Sequence, residues 1–380
     1  MRAWSPVPHL TLLTLVSILA AALLACGHGS SSAPAPLPPE GGIFTRTVVV
    51  SGLMNPTAMA LVPDGRILIC EQGGSLRVAK GGALLATPLL TLPVDASGER
   101  GLLGVTVDPA FAANGFVYVY YTATTPAPHN RISRFTTAGD LAVPGSEAVL
   151  LDLDDLGAAT NHNGGALHFG PDGKLYAGVG ENANAANAQN LTNLLGKVLR
   201  LDPDGGVPAD NPLLAQTSGK NRLIWALGLR NPFTFAFQPG TGRLFLNDVG
   251  QNTWEEVDEG SAGANYGWPA TEGATANPAY TGPVYAYPHS GGPVTGCCIV
   301  GAAFYDPATP AFPAAFLHKY LFMDLCEGWV RTLDPATGTV GDWLTGFSSP
   351  VDLRVAGDGS VLVLSRGGGG TLQRVTYATP

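Results

Sequence analysis

Charged residues are scarce in this 380-residue chain, in which Asp, Glu, Lys and Arg together make up only 13%. The formal net charge is −9, and no segment concentrates lysine or arginine. Nucleic-acid partners require a basic surface, so such a partner is not expected. Beyond residue 24 the sequence contains no apolar run long enough to cross a membrane. These absences exclude a basic nucleic-acid-binding protein and a protein with several membrane spans.

Cysteine is also sparse, and its spacing does not indicate a metal site. The five cysteines include no C-x-x-C pair, and no histidine lies near Cys297-Cys298 at the spacing of a metal ligand. Apart from Cys26 there are four cysteines, an even number that is typical of an oxidising compartment but leaves the pairing open. We favour a disulfide between Cys297 and Cys326, because one precedes a predicted strand and the other ends the next strand.

The N-terminal segment has the pattern of an export signal. One cation precedes an apolar run over residues 10–24, which is too short for a comfortable membrane span and ends in Leu-Leu-Ala-Cys. This pattern predicts a lipoprotein signal peptide over residues 1–25, lipidation of Cys26 and a Gly/Ser/Pro-rich tether over 26–41. The protein would then lie in the cell envelope, in the periplasm or on the outer surface, and contact the membrane only through its lipid anchor. Ordinary secretion with an incidental cysteine near the cleavage site is the alternative.

Glycine and proline, in contrast, are abundant, with 50 and 31 residues. Together with the low charge they indicate many tight turns and few solvated helices. Short β-rich runs recur at spacings of about 40 to 80 residues, most of them entered by a turn of Pro, Asp or Gly. The six runs are Arg66–Ile69, Phe116–Tyr121, Lys174–Tyr176, Arg243–Leu246, Tyr320–Met323 and Ser360–Leu364.

This spacing is typical of four-stranded blades with loops of variable length. We therefore predict an all-β fold over residues 42–380, a six-bladed β-propeller of four-stranded antiparallel blades. In a propeller the loops at one end of the inner strands gather at one mouth of the central channel, so function is expected there. A two-sheet sandwich is the competing architecture, but the six runs extend over the whole chain and leave no natural halfway boundary.

The most informative segment is Asn161-His162-Asn163-Gly164-Gly165, which sets a histidine beside a pair of permissive glycines. Glycines allow a flat ligand or another backbone to come close. Glu181 follows a short predicted strand just beyond, where its carboxylate could bind the second ring nitrogen of His162 and fix the tautomer. His162 is thus a candidate base, and the alternative is a structural histidine in a turn.

Seven motifs follow one another in order between about Gly52 and Val375. Besides the His162 segment they are Glu99–Gly104 with Asp108-Pro109, Asn130–Phe135, Leu195–Asp202, Leu227–Phe233, Asp248–Asn252 and Gly263–Pro269. In this order they resemble the glucose/sorbosone dehydrogenase family. The resemblance implies a six-bladed propeller that oxidises aldoses with pyrroloquinoline quinone (PQQ) and calcium. Hedgehog-interacting-like proteins share the same scaffold.

The resemblance implies a role for each candidate site residue. His162 would be the general base that takes the proton of the sugar C1 hydroxyl, and Glu181 would orient it. Arg230 and Asn231 would contact the quinone oxygens and stabilise developing negative charge, and Glu99 and His162 would also lie at cofactor-contacting positions. The alternatives are a strand-end carboxylate for Glu181 and a buried, paired side chain for Arg230.

The same resemblance implies two calcium sites. The carbonyl oxygens of Gly250 and Gln251 would hold the calcium that touches the quinone, and Glu256 with the carbonyl of Tyr266 would belong to a second site. The surrounding run is acidic on its own account, although such a run can also be a solvated loop.

The chain departs from this family where an anionic cofactor needs cations. PQQ carries three carboxylates, and quinone-binding members have a lysine where Cys326 aligns and arginines where Ser349 and Val351 align. Glu99 stands in place of a glutamine and adds negative charge. The segment at 326–329 is similar to the disulfide-bonded branch of the family. Candidate replacement cations are Arg100, Arg331, Arg354 and Arg366.

Two functions therefore remain open from the sequence. The first is a PQQ-dependent sugar dehydrogenase that oxidises an aldose to a lactone and passes the electrons to an unidentified external acceptor. The second is a propeller on the same scaffold that binds carbohydrate or protein without redox turnover. Cations facing His162 across the channel mouth would favour the first function, and an acidic mouth would favour the second.

Overall fold

The computed structural model describes residues 41–379. The predicted signal peptide, Cys26 and all but the last residue of the predicted tether lie outside the described residues. Within the described range, no helix has the length and apolar character needed to cross a membrane.

The described residues form six antiparallel sheets, which are the blades of a β-propeller. The first strand, β1 (Ile43–Ser51), belongs to the sixth blade. Blade 1 contains β2 (Pro56–Leu61), β3 (Ile67–Glu71), β4 (Ser75–Lys80), β5 (Ala83–Leu84) and β6 (Leu90–Thr91). Blade 2 contains β7 (Leu102–Val107), β8 (Phe116–Ala123), β9 (His129–Ala138), β10 (Leu141–Ala142) and β11 (Ala148–Asp155). Blade 3 contains β12 (Leu167–Phe169), β13 (Leu175–Val179), β14 (Lys197–Leu201) and β15 (Ile224–Leu227).

The remaining blades follow in chain order. Blade 4 contains β16 (Pro232–Phe237), β17 (Leu244–Asp248), β18 (Trp254–Gly260) and β19 (Tyr285–Pro288). Blade 5 contains β20 (Ile299–Phe304), β21 (Tyr320–Asp324), β22 (Val330–Leu333) and β23 (Val340–Leu344). Blade 6 contains β24 (Pro350–Val355), β25 (Val361–Ser365), β26 (Thr371–Ala378) and β1. The short helices are α1 (Phe111–Asn114), α2 (Ala186–Gln189) and the 3₁₀ turns Gly219–Leu223 and Ala314–Phe316.

The predicted fold is confirmed, and each of the six predicted runs forms the second strand of one blade. These strands are β3, β8, β13, β17, β21 and β25, and nearly all of their residues are buried. Both faces of such a strand are covered by neighbouring blades, so its sequence is continuously apolar and does not alternate. The sandwich alternative is wrong, because the strands divide into six small sheets. Blades 1 and 2 each contain a fifth strand, because β4 pairs with both β5 and β6 and β9 pairs with both β10 and β11.

The ring closes through its last blade. β1 pairs with β26 in antiparallel register from Ile43 opposite Ala378 to Ser51 opposite Thr371. The first and last strands of the described range therefore share one sheet, which leaves no blade incomplete. This pairing was not predicted from the sequence.

The direction of the strands brings two sets of loops to one end of the ring. The first strands of the blades line the channel, and segments of β2, β7, β12, β16, β20 and β24 surround a cavity of about 320 Å³ at its far end. The loops that lead into these six inner strands lie at the opposite end, together with the turns that follow the six second strands. We call this end the mouth.

Candidate functional site

His162 lies at the mouth, in the loop that leads into β12, and its backbone is held at both ends. Its φ of +57° is in the left-handed region that few side chains adopt. Its N–H donates to Glu99 Oε2 at 2.7 Å, and its carbonyl accepts the N–H of Asn182 at 3.0 Å. These bonds fix the backbone of His162 and therefore the direction in which its side chain leaves the loop.

A buried carboxylate holds one nitrogen of that ring. His162 Nδ1 lies 2.5 Å from Glu181 Oε1, while Nε2 has no hydrogen-bond partner within residues 41–379. Glu181 is 1% exposed, and its Oε2 is buried without a partner. The carboxylate favours a proton on Nδ1, so the lone pair of a neutral ring is at Nε2. The predicted pairing of His162 and Glu181 is thus present in the structure.

Arg230 and Asn231 immediately precede β16 in the neighbouring blade, and they connect blade 4 to the His162 loop. The carbonyl of Arg230 accepts the N–H of Glu181 at 2.9 Å, and Asn231 Oδ1 accepts the N–H of Gly164 at 3.0 Å. The guanidinium donates from Nη1 to the carbonyl of Val249 at 2.8 Å and lies 5.8 Å from the centre of the Trp268 ring. Within residues 41–379, Arg230 makes no ion pair, and its Nε is buried with no acceptor.

Asp248 is a site residue that the sequence analysis did not select. It ends β17, and its two carboxylate oxygens accept the N–H groups of Arg230 and Asn231 at 2.9 and 2.6 Å. Burial raises the pKa of Asp248 to about 6, against the opposing effects of these N–H bonds and of the nearby charges of Arg230 and His162. The signal that could have identified Asp248 from the sequence is an acidic residue at the end of a second strand. Asp324 shows the same pattern in blade 5.

The glycines around His162 allow neighbouring backbone segments to approach each other closely. A Cβ atom on Gly164 would collide with the carbonyl of Gly178, and one on Gly180 would collide with the carbonyl of His162. Of the two uses that the sequence left open, the structure shows close backbone contact. The open side of the site is therefore the His162 Nε2 side.

The predicted calcium ligands Gly250 and Gln251 follow β17, so they lie at the same end of the ring as His162 and Arg230. Their carbonyl oxygens accept no hydrogen bond from residues 41–379. The N–H of Gln251 donates to Glu272 Oε1 at 2.8 Å, which holds this turn in place. Two free carbonyls in a fixed turn are suitable ligands for a hard cation.

Glu256 belongs to a cluster of buried carboxylates. It lies opposite Asp248 in the β17–β18 ladder, and Asp258 follows two residues later on the same face. Burial and neighbouring carboxylates raise the pKa of Glu256 to about 8 and the pKa of Asp258 well above its ordinary value. Both oxygens of Asp258 are buried without a hydrogen-bond partner. Such a carboxylate is costly unless it gains a proton or a cation, so the donor set fits a hard cation.

Tyr266 lies close to this cluster, and the charges of Asp258, Glu259 and Asp248 contribute, after burial, to raising the pKa of its phenol. Its hydroxyl donates to the carbonyl of Glu259 at 2.8 Å. The carbonyl oxygen of Tyr266, which is the predicted ligand atom, accepts no hydrogen bond from the part of the chain that the structure describes.

The four candidate replacement cations separate into three that are paired and one that is not. Arg100 forms an ion pair with Asp95 at 2.7 Å, Arg331 with Asp342, and Arg354 with Asp352 at 3.2 Å. Arg354 also borders the cavity at the far end of the channel. Arg366 lies at the mouth, after β25, and makes no ion pair with any residue that the structure describes.

The predicted disulfide between Cys297 and Cys326 is present, with a Cα–Cα distance of 5.9 Å. Asp324 lies beside it, and these three residues form the compact group of potential metal ligands found among the described residues. Because the two cysteines are bonded to each other, the group is not a metal site. Cys70 and Cys298 are free thiols.

A family profile, curated relatives and solved structures all match this chain. A family profile described as Glucose / Sorbosone dehydrogenase matches residues 53–328. Aldose sugar dehydrogenase YliI of Escherichia coli is 36% identical over 232 residues, which cover 58% of this chain and 61% of that protein. Quinoprotein glucose dehydrogenase B of Acinetobacter calcoaceticus is 32% identical over 259 residues, or 60% of this chain and 53% of that protein. The chain thus spans about three fifths or less of the length of these curated relatives.

Solved structures cover nearly all of the fold. The PQQ-bound form of the aldose sugar dehydrogenase of Streptomyces coelicolor has a TM-score of 0.75 at 25% identity, covering 90% of this chain and all of that chain. The apo-form of the soluble aldose sugar dehydrogenase of E. coli has a TM-score of 0.77 at 27% identity, covering 89% of this chain and all of that chain. HIPL1 of Arabidopsis thaliana also matches, with 35% identity over 235 residues, which are 51% of this chain and 33% of that protein. The propeller, the ordered motifs and the matched profile together show that the chain belongs to the glucose/sorbosone dehydrogenase family.

Proposed function

We propose that the protein is a PQQ-dependent sugar dehydrogenase, which oxidises the C1 hydroxyl of an aldose to a lactone and passes the electrons to an external acceptor. The observation that carries this proposal is the His162–Glu181 pair at the mouth, in which Nε2 is free of protein partners. A positioned base of this kind contributes about two to four orders of magnitude in rate.

The residues around His162 fit the quinone as the cofactor. When bound, PQQ supplies the electrophilic centre that accepts two electrons from the substrate. Arg230 and Asn231 would hold the quinone oxygens, because the guanidinium has no ion-pair partner and its Nε has no protein acceptor. A fixed cation at this place stabilises negative charge as it develops.

The protein residues divide the proton chemistry between them. His162 Nε2 takes the proton of the sugar hydroxyl, and Glu181 stabilises the resulting imidazolium through Nδ1. The hydrogen bonds from His162 N–H to Glu99 and from Asn182 to the His162 carbonyl hold the backbone in place, and the contact of Nδ1 with Glu181 keeps the ring from turning away during this transfer. Catalysis would therefore begin from a preorganised base.

Calcium is part of the same proposal. The carbonyls of Gly250 and Gln251 would hold the ion next to the quinone, and Glu256 with the carbonyl of Tyr266 would hold a second ion. The unpartnered carboxylate of Asp258 supports the second site, because a cation would compensate its buried charge.

We also propose that the protein is exported and lipid-anchored at Cys26. The disulfide between Cys297 and Cys326 supports an oxidising compartment outside the cytoplasm. Metabolic labelling with a fatty acid, followed by the same experiment on Cys26→Ser, tests the anchor. Equal labelling of both proteins would contradict it.

The test of the enzymatic proposal is reconstitution of activity. Purified protein incubated with PQQ and calcium should reduce a redox dye when aldoses are added, and omission of either PQQ or the sugar should abolish the reaction. If no aldose in a broad panel supports turnover while the protein is folded, the proposal is wrong.

The excess of carboxylates at the mouth favours a second candidate, a propeller that binds carbohydrate or protein without redox turnover. Four carboxylates lie at this end, those of Glu99, Glu181, Asp248 and Asp324. Three positions that align with cofactor-binding cations in quinone-binding members carry no charge here, and they are Cys326, Ser349 and Val351. Saturable sugar binding in calorimetry, with no binding of PQQ, would support this candidate.

A further inference from the structure

Arg366 differs from the residues at the equivalent place in other blades. Second strands end in Glu71, Asp248 and Asp324 in blades 1, 4 and 5, and these carboxylates accept N–H groups of the loops that lead into the inner strands. In blade 6 the second strand ends in Ser365, and an arginine follows. Ser365 thus stands where three other blades place a negative charge, and a positive charge follows one residue later at the same mouth.

The side chain of Arg366 is fixed by one strong contact and is otherwise free. Its Nη2 donates to Gln72 Oε1 at 2.7 Å, and its backbone N–H donates to the carbonyl of Ser349 at 2.9 Å. Within residues 41–379, Nε and Nη1 donate to no acceptor and no carboxylate forms an ion pair with the guanidinium. Burial lowers the pKa of Arg366, and the charge of Glu99 opposes this effect. The side chain thus offers charged donors with no protein acceptor.

Gln72 links Arg366 to the His162 site. Its Nε2 donates to the carbonyls of Gly98 at 2.7 Å and Arg100 at 2.8 Å, which flank Glu99. Glu99 in turn accepts the backbone N–H of His162. Gln72 is buried, so this chain of hydrogen bonds connects the guanidinium on blade 6 to the loop that holds the backbone of His162.

Few other cations are free to meet an anionic ligand at the mouth. Most described arginines and lysines are engaged in ion pairs, including Arg77 with Glu71 at the turn beside Gln72. Arg230 on blade 4 is free of an ion pair, but the quinone oxygens are its proposed partners. The carboxylates of the cofactor therefore require a different cation, and Arg366 on blade 6 is available.

We propose that Arg366, held by Gln72, binds a carboxylate of the quinone and replaces the missing cations at Cys326, Ser349 and Val351. This inference rests on the proposed function. Within the described residues Nε and Nη1 donate to no acceptor, so one of them and the second hydrogen of Nη2 can face one carboxylate together, a fork that lysine does not provide. Arg366 would thus contribute to affinity for the cofactor and leave the proton transfer to His162.

The experiment is a calorimetric titration of the full chain with PQQ at saturating calcium, repeated at two salt concentrations. Removing a charge-assisted hydrogen bond in Arg366→Gln should raise the dissociation constant by about tenfold to a hundredfold and reduce its salt dependence. The dissociation constant of Arg366→Lys should lie between those of the wild type and Arg366→Gln. Gln72→Met should also weaken binding, because it releases the guanidinium from its position.

Arg374→Gln is the matched control, because it removes one positive charge from the same blade. Arg374 pairs with Asp358 in the turn before β25, at the other end of the blade from the mouth, so its loss should leave the dissociation constant unchanged. Melting curves confirm that each variant is folded. If Arg366→Gln binds PQQ like the wild type, or if Arg374→Gln weakens binding equally, this inference is wrong while the proposed function stands. If the wild type binds no PQQ, both are wrong.

Discussion

Blades 3 and 5 carry an acidic residue at nearly the same place, after or at the end of the second strand, and use it in different ways. In blade 5, Asp324 Oδ2 accepts the N–H groups of Cys297 and Cys298 at 2.9 and 3.0 Å and the Tyr287 hydroxyl at 2.9 Å. Its Oδ1 accepts two further N–H groups, from Cys326 and Glu327, both at 2.9 Å. The Asp324 carboxylate thus accepts five hydrogen bonds and holds the surrounding segments together.

In blade 3 the carboxylate of Glu181 instead reaches the imidazole of His162, and its second oxygen has no partner. A buried acid that is fully hydrogen-bonded stabilises the fold, whereas one that is only half satisfied and faces a titratable ring costs stability. The comparison teaches that one structural position can serve architecture in one blade and chemistry in another. It also gives each residue a distinct expected phenotype.

The largest effect on the fold should come from the covalent link in blade 5. Replacing both Cys297 and Cys326 by serine opens a loop with a sequence separation of 29 residues. On the loop-entropy model the free energy of unfolding should fall by about 3 to 4 kcal/mol. Denaturant unfolding measures this change, with Cys298→Ser as the control that keeps the disulfide. A loss no larger than that of the control would contradict the structural role.

Asp324→Asn should come next, with a loss of about 2 to 3 kcal/mol in the free energy of unfolding. The amide group of asparagine presents N–H donors to backbone N–H groups that need acceptors. Thermal and denaturant melts measure the loss, and the dissociation constant for PQQ should change little. If Asp324→Asn is as stable as the wild type, Asp324 does not have the structural role that distinguishes it from Glu181.

Glu181→Gln should show the opposite pattern. The neutral amide cannot stabilise a positive charge on His162, so kcat should fall by about tenfold to a hundredfold. Stability should change by no more than about 1 kcal/mol, because the carboxylate already has an unpartnered oxygen. Dye-reduction kinetics and melts on the same preparation test both parts. Unchanged kcat would place Glu181 with the structural acids.

The smallest effect concerns Asp258 in blade 4, and its sign should depend on calcium. Asp258→Asn removes a buried, unpartnered carboxylate, so the metal-free protein should gain about 1 kcal/mol of stability. Added calcium should then stabilise the variant less than it stabilises the wild type. Melting temperatures with and without calcium test this expectation. A calcium response equal to that of the wild type would exclude Asp258 from the second site.

The sequence predicted the parts of the fold that are governed by local burial. The second strands were recognisable because both of their faces are covered, which makes them continuously apolar between turn residues. β1 was missed because most of its residues are exposed on the outer edge of blade 6 and carry no such signal. Its partner strand also lies at the other end of the described chain, and pattern analysis does not reach that far.

The same limit applies to the site. The pairing of His162 with Glu181 was predictable because the two residues flank one hairpin of blade 3. The contact of Arg366 with Gln72 joins residues 294 positions apart, so only the closed ring reveals it. Asp248 was visible as part of an acidic run, but its hydrogen bonds to Arg230 and Asn231 depend on the β16–β17 register.

The measurement that tests the central claim most directly is stopped-flow absorbance of protein loaded with PQQ and calcium and then mixed with an aldose. The wild type should reduce the bound cofactor in a single turnover, and His162→Ala should bind the cofactor with similar affinity but react about two to four orders of magnitude more slowly. Reduction by His162→Ala at the wild-type rate would contradict the claim that His162 is the base.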